Sequence, residues 1–153
     1  MAQFTITREV HIEADAAAVH ALVDDFHHWV DWSPWEDLDP NLQRTYSGPD
    51  SGTGARYAWQ GNSKAGQGSM TITSSTPQEV AISLAFVKPF KATNAVAITF
   101  ADDASGGTDV TWTMTGDRGL GGQVFAKAFK MDDRLGADFV KGLLQLKSLA
   151  ENG

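Results

Sequence analysis

Residues 132–151 read DDRLGADFVKGLLQLKSLAE, and the rest of the chain is organised around them. Leu135, Phe139, Leu143, Leu146 and Ala150 recur at spacings of 4, 4, 3 and 4, which draws one apolar stripe along a helix. Val140, Leu144 and Leu149 widen the stripe, while Arg134, Lys141, Gln145, Lys147 and Ser148 fall mostly on the other side. At 1.5 Å per residue such a helix is roughly 30 Å long. It needs a large apolar partner, and no earlier segment repeats its length or period. What comes before it alternates with period two. The pattern predicts one antiparallel sheet curled around one long C-terminal helix.

Taken in order, Phe4, Ile6, Val10 and Ile12 alternate with Thr5, Thr7, Glu9, His11 and Glu13, the pattern of a half-buried strand. Asp15 is placed to cap a helix running to Asp24, with Val19, Leu22, Val23 and Phe26 as its inner face. HHWVDWSPWEDLDP follows, and Pro34 turns a second short helix into a loop. Six strand-like runs come next: Leu42 to Ser47, Ala55 to Gln60, Ser69 to Ser74, Glu79 to Lys88, Ala95 to Ala101 and Thr108 to Gly116. The breaks SGPDSGTG, GNSKAGQG, STPQ, PFKATN and DDASGG read as turns. The alternation predicts a meander with one solvated face. A Gly-rich stretch around Gly119 to Gly122 leads into an amphipathic segment, Val124 to Met131, and then the final helix.

With 153 residues, 42% of them hydrophobic, the chain reads as a single domain over 1–153. The net charge of −7 and the lack of a Lys/Arg run argue against nucleic acid and anionic membrane surfaces as partners. There is no Cys, so there is neither a disulfide nor thiolate chemistry. The N-terminus, MAQFTITREVHIEA, is charged and alternating, unlike a signal peptide or an integral membrane segment. A cytoplasmic location is the expectation.

Several stretches together carry a resemblance: DFHHWVDWSPWEDLDP, RTYSGPDSGTGARYAWQGN, GQGSMTI, VKPF, GTDVTWTMTG and GADFVKGLLQLKSLAE. Across essentially its whole length the chain resembles the START-related polyketide cyclase/dehydrase family of the SRPBCC superfamily. The resemblance implies an α+β helix-grip fold. A curved antiparallel sheet of about seven strands would grip the C-terminal helix, with two short helices after the first strand and a hydrophobic cavity between sheet and helix. It also implies that the first two strands are neighbours. Known activities in the family run from lipid or hormone binding to cyclisation and dehydration of polyketides, so fold does not decide function.

The inward aromatic set is the main functional signal. Tyr57, Trp59, Met70, Phe86, Phe100, Trp112, Met114, Phe139 and Leu143 either line a cavity for an apolar ligand or simply fill the core. An enclosed space of about 300 to 1,000 Å³ near Trp59 and Trp112 is expected, with Phe139 facing the ligand. Trp29, Trp32 and Trp35 lie in the loop that the resemblance places near one end of the cavity. Trp29 reads as seating the short helices, and Trp35 as a candidate gate. Arg8 and Arg44 fall on the inward face by parity. Each would anchor an anionic ligand head, pair with Glu36, Asp37 or Asp39, or be turned outward by a bulge.

Nothing in the sequence asks for a cofactor. The segment GNSKAGQ ends in Gln67 where a phosphate-binding loop needs Lys followed by Ser or Thr, and it sits between strands. No GxSxG nucleophile elbow occurs. The expected function is binding of a small hydrophobic or aromatic molecule. The alternative is a cofactor-free cyclase or dehydratase in the same cavity, for which no catalytic residue can be named. His11, His20, His27 and His28 show no HxxxH or HExxH spacing, so no metal site is expected. Treatment with EDTA should therefore leave the melting temperature unchanged. A clear fall that one metal ion restores would overturn this reading of the histidines.

Overall fold

The computed structural model describes residues 2–34, 39–62, 66–88, 91–104, 106–118 and 131–152. The elements in order are β1 (Ala2–Ile12), α1 (Ala16–Val23), α2 (Phe26–Trp29), β2 (Gln43–Ser47), β3 (Arg56–Gln60), β4 (Gln67–Thr76), β5 (Glu79–Lys88), β6 (Ala92–Asp102), β7 (Thr108–Arg118) and α3 (Met131–Asn152). The seven strands form one antiparallel sheet in the order β1-β7-β6-β5-β4-β3-β2. The expected elements are all present. The implied adjacency of the first two strands is corrected, because β1 and β2 are the two opposite edges. The chain leaves β1 through α1 and α2, enters the sheet again at its far edge, and returns strand by strand until β7 pairs with β1. The expected amphipathic segment, Val124 to Met131, lies outside the described residues except at Met131, which begins α3.

Alternation sorts the sheet into a polar and an apolar face. The inward residues are Ile6 and Ile12 on β1, Ile72 on β4, Val80, Ile82 and Leu84 on β5, Val96, Ile98 and Phe100 on β6, and Val110, Trp112 and Met114 on β7, all buried. Phe139, Leu143 and Leu146 from the stripe of α3 are buried against them. Three strands run longer than the sequence suggests: β6 starts at Ala92 rather than Ala95, β4 spans Gln67–Thr76, and β7 continues past Gly116 to Arg118. The long β2–β3 connection closes on a glycine that must be one. Gly48 has φ +75, and a Cβ there would run into the Gly54 carbonyl.

Helix α3 is pinned to β1 at its C-terminal end. Lys147 Nζ donates to the His11 carbonyl oxygen at 2.8 Å and to Glu151 Oε2, and that carboxylate accepts from the Glu13 backbone N–H at 2.8 Å. His11 itself sits among carboxylates. Its Nδ1 lies 2.8 Å from Asp109 Oδ1 and 3.3 Å from Asp103 Oδ2, and its Nε2 lies 2.7 Å from Glu13 Oε1. The hydrogen bonds to Asp109 and Glu13 raise the imidazole pKa above its ordinary 6.5, the Glu13 and Asp103 charges add to this, and partial burial opposes it. A folded pKa above the unfolded one stabilises the protein below the unfolded value, and the effect is lost as pH rises through the folded value. The melting-temperature gap between the protein and His11→Gln should therefore be widest below about pH 6.5 and shrink as pH rises above it. A gap that widens with rising pH would show that the imidazole is not held protonated.

Candidate functional site

The middle of the concave face is filled. Trp112 projects from β7 and stacks on Phe139 of α3, with ring centroids 4.4 Å apart and an interplanar angle of 7°. The edges of Trp29 and Trp32 meet the same indole at 6.1 and 5.8 Å. Those two Trp residues are fixed by donation from Nε1 to the carbonyls of Val23 and Leu22, at 2.7 and 2.9 Å. They thus seat the α1–α2 unit on the sheet, as expected for Trp29. Gly142 lets α3 come this close, since a Cβ there would lie 2.7 Å from Pro34 Cδ and 3.1 Å from Trp112 Cζ3. Phe139, Trp112, Met114 and Leu143 are each no more than 1% exposed. Around Trp112 the expected space is taken by aromatic rings, and Phe139 faces Trp112.

Toward one end of the sheet the burial weakens. Strand register lines up Phe4, Gly116, Asn94, Leu84, Met70, Tyr57 and Tyr46 in one row across all seven strands. Beyond it, Phe86, Gly68, Trp59 and Arg44 make the next row. Phe4, Tyr46, Trp59 and Phe86 are only partly buried, although their parity is inward. The rings of Trp59 and Phe86 meet edge to face at 5.9 Å, and the Trp59 ring lies over Gly68, where a Cβ would be 2.7 Å from Cη2. Met70 and Tyr57 are buried in the floor of this region, while Phe100 lies at the opposite, sealed end of β6.

The polar residues of this face differ from one another. Arg44 is exposed on the edge strand β2, opposite Trp59 in register. Arg8 is half-buried opposite Trp112, its Nη1 donates to the Thr7 carbonyl at 2.7 Å, and its guanidinium lies against Gly136 of α3. The arginine explains a glycine that would otherwise only weaken the helix by about 1 kcal/mol. Asp39 does not serve either arginine in the way considered above: its two oxygens accept from the backbone N–H groups of Asn41 and Asn62, both at 2.8 Å. Glu36, Asp37 and the candidate gate Trp35 lie outside the described residues.

Asn94 is the residue that sequence reading missed. PFKATN reads as a turn, yet Asn94 belongs to β6 and shares its parity with Val96, Ile98 and Phe100. It is 8% exposed, and among the described residues its carboxamide makes no hydrogen bond. A polar amide in an otherwise apolar register calls for a reason. The signal that could have found it is parity carried two residues back from Val96 into the break.

Two further features lie outside this region. A crevice of about 130 Å³ opens between Phe26, His27, Tyr46 and the Gly48–Asp50 turn, where the His27 and Tyr46 rings stack at 4.2 Å. It is smaller than the roughly 300 Å³ at which ligand pockets begin. The ligand atoms of His11, Asp103 and Asp109 lie within 4.8 Å of one another, a geometry that could hold a metal ion. No sequence spacing could show this set, because register brings His11 opposite Asp109. Both nitrogens of His11 already face carboxylates, which suits an imidazolium donating from each.

Comparison with known proteins adds to this geometry. The family model described as "Polyketide cyclase / dehydrase and lipid transport" matches residues 3–151. No curated protein matches the chain. Among solved structures, it is similar to protein CV1439 from Chromobacterium violaceum, with 14% identity, a TM-score of 0.67, and coverage of 96% of this chain and 97% of that one. It is similar to Aha1 from Colwellia psychrerythraea, solved as a dimer, with 15% identity, a TM-score of 0.68, and coverage of 97% and 96%. It is also similar to the di-domain ARO/CYC BexL from the BE-7585A biosynthetic pathway, with 15% identity and a TM-score of 0.71. There 97% of this chain aligns with 50% of the longer protein. At these identities the likeness supports the helix-grip fold alone.

If the Trp112–Phe139 stack is packed core, Phe139→Ala should lower unfolding free energy by about 3 to 5 kcal/mol in denaturant titration. A loss under about 1 kcal/mol would mean the ring borders open space, as the sequence alone suggested.

Proposed function

The chain belongs to the polyketide cyclase/dehydrase and lipid transport family, and from that premise we propose that it binds a small hydrophobic or aromatic molecule between the concave face of its sheet and α3. The observation that carries this reading is the gradient of burial along the inward face. At one end, Ile12, Val80, Ile98 and Val110 are sealed. At the other, the large apolar side chains Phe4, Trp59 and Phe86 keep inward parity yet stay partly exposed. Inward aromatic surface that the protein does not cover is surface that an apolar guest gains by covering. Gly68 and Gly116 bring no side chain to this end, and the Trp59 ring and the Asn94 amide lie over them instead.

In this proposal Trp59 and Phe86 form the wall, Met70 and Tyr57 the floor, and Arg44 stands at the rim. Phe139, Trp112, Met114 and Leu143 contribute by holding α3 at a fixed height over the sheet. Phe100 does the same from the sealed end.

A cofactor-free cyclase or dehydratase is the second reading, favoured by the likeness to the di-domain ARO/CYC protein. Such a reaction needs an acid and a base aimed into the cavity. Among the described residues, the buried part of the concave face contains neither a carboxylate nor a histidine. That ranks binding first.

Titration with the neutral fluorophore 1-aminoanthracene tests the proposal. Wild-type protein should bind it. Trp59→Ala and Phe86→Ala should each weaken binding by roughly five- to thirtyfold, the equivalent of about 1 to 2 kcal/mol of aromatic burial. Because both rings are partly exposed, the melting temperature should fall less than for Phe139→Ala. Binding that ignores both substitutions would remove this end of the sheet from consideration.

A further inference from the structure

Asn94 stands in the middle of the row just described, on the third strand of seven, with Gly116 on one side and Leu84 on the other. Its neighbours along the strand on the same face are Val96 and Ile98. A leucine or valine would continue the pattern at no polar cost. Asn94 is 8% exposed as a whole residue, and it lies at the unsealed end of the face. Its Oδ1 rests over Gly116, so close that a Cβ at that position would overlap it. Gly116 therefore admits the amide and fixes its direction. The Nδ2 amino group remains, and it can only donate.

From this we infer that Asn94 is a recognition residue of the ligand site, donating a hydrogen bond to an acceptor oxygen on an otherwise apolar or aromatic ligand. The inference rests on the binding proposal above and narrows its ligand class to one carrying a hydrogen-bond acceptor at that position. Small-molecule sites are mostly apolar, with a few fixed polar groups that set orientation. One buried donor among Phe4, Leu84, Met70 and Phe86 fits that description. A ligand without an acceptor would leave the amide buried and unpaired, so the donor discriminates by what it rejects as much as by what it holds.

Two probes of nearly equal shape separate the outcomes. Acetophenone carries a C=O where α-methylstyrene carries a C=CH₂. Wild-type protein titrated by NMR should bind acetophenone roughly three- to tenfold more tightly, the span of one net hydrogen bond. Asn94→Leu should lose that preference, bind α-methylstyrene at least as well as wild type does, and melt no lower. Asn94→Ala, which adds no bulk beside Gly116, should show the same loss of preference if leucine proves too large to fold. Equal binding of the two probes by wild type would overturn the inference, as would a preference that survives in the variants. A large fall in melting temperature for both variants would also overturn it, by making Asn94 a structural group. Failure of wild type to bind either probe would instead count against the cavity itself, and the inference would fall with it.

Discussion

The structure depends on one contact, the parallel stack of Trp112 on Phe139. It joins the second strand of the sheet to the middle of α3 at 4.4 Å between ring centroids. Two large flat groups meeting face to face constrain both the height of the helix and its rotation, because Phe139 must stay over the indole. Gly142, three residues on, is what permits the approach: the helix backbone passes over Pro34 and the indole edge with no room for a methyl. The general cost of glycine in a helix, about 1 kcal/mol, is small beside the dispersion and burial that two aromatic rings gain. Trp29 and Trp32 then close the sides of the same indole, and their N–H groups bind carbonyls near the end of α1. The short helices are thereby tied to the stack.

That arrangement divides the concave face into two halves that differ in burial. The half toward the C-terminal end of α3 is held by Lys147, Glu151 and the end of β1, and its inward residues are sealed. The half toward Phe4, Trp59 and Phe86 has no comparable tie among the described residues. A helix pinned at one end and stacked at its centre gives a rigid wall, and what varies along the face is how far the side chains reach up to it. Gly68 and Gly116 reach nowhere, and Asn94 reaches with an amide. The groups of this half sit on paired antiparallel strands, so they are held more precisely than groups on loops.

Period was the legible part of the sequence. The 4, 4, 3, 4 spacing of the α3 stripe and the strict alternation of β5, β6 and β7 each admit one secondary structure, and a long amphipathic helix beside many short strands admits few architectures. Three things were hidden, each for a physical reason. Asn94 was lost because Pro89, Lys91 and Asn94 are turn-forming or polar, so local composition outweighed parity. The charge cluster of His11, Asp103 and Asp109 was lost because its members come from strands that only global topology makes adjacent. The order of strands was misjudged because alternation fixes which face a residue takes and says nothing about which strand lies next to which. The filling of the face at Trp112 escaped for a related reason: that a residue points inward is local information, but whether another ring meets it depends on how α1, α2 and α3 converge.

Alternation also limits where specificity can reside. Any sheet that grips a helix must present an apolar face, so the inward valines, isoleucines and leucines of this chain are what the fold requires and distinguish no ligand from another. Information enters where the chain departs from the requirement. On the described face Arg8, Arg44, Asn94 and Thr108 put polar groups in apolar registers, and Gly68, Gly116 and Gly136 withhold a side chain. Each glycine is paired with a neighbour that uses the vacated space, Gly68 with the Trp59 ring, Gly116 with the Asn94 amide and Gly136 with the Arg8 guanidinium. Two of these pairs lie in the open half of the face. There the glycine and its partner act together, one lowering the floor and the other presenting a ring edge or an amide above it. In the binding proposal chemical selectivity follows from those pairs, because they are the places where the packing requirement alone does not determine the residue.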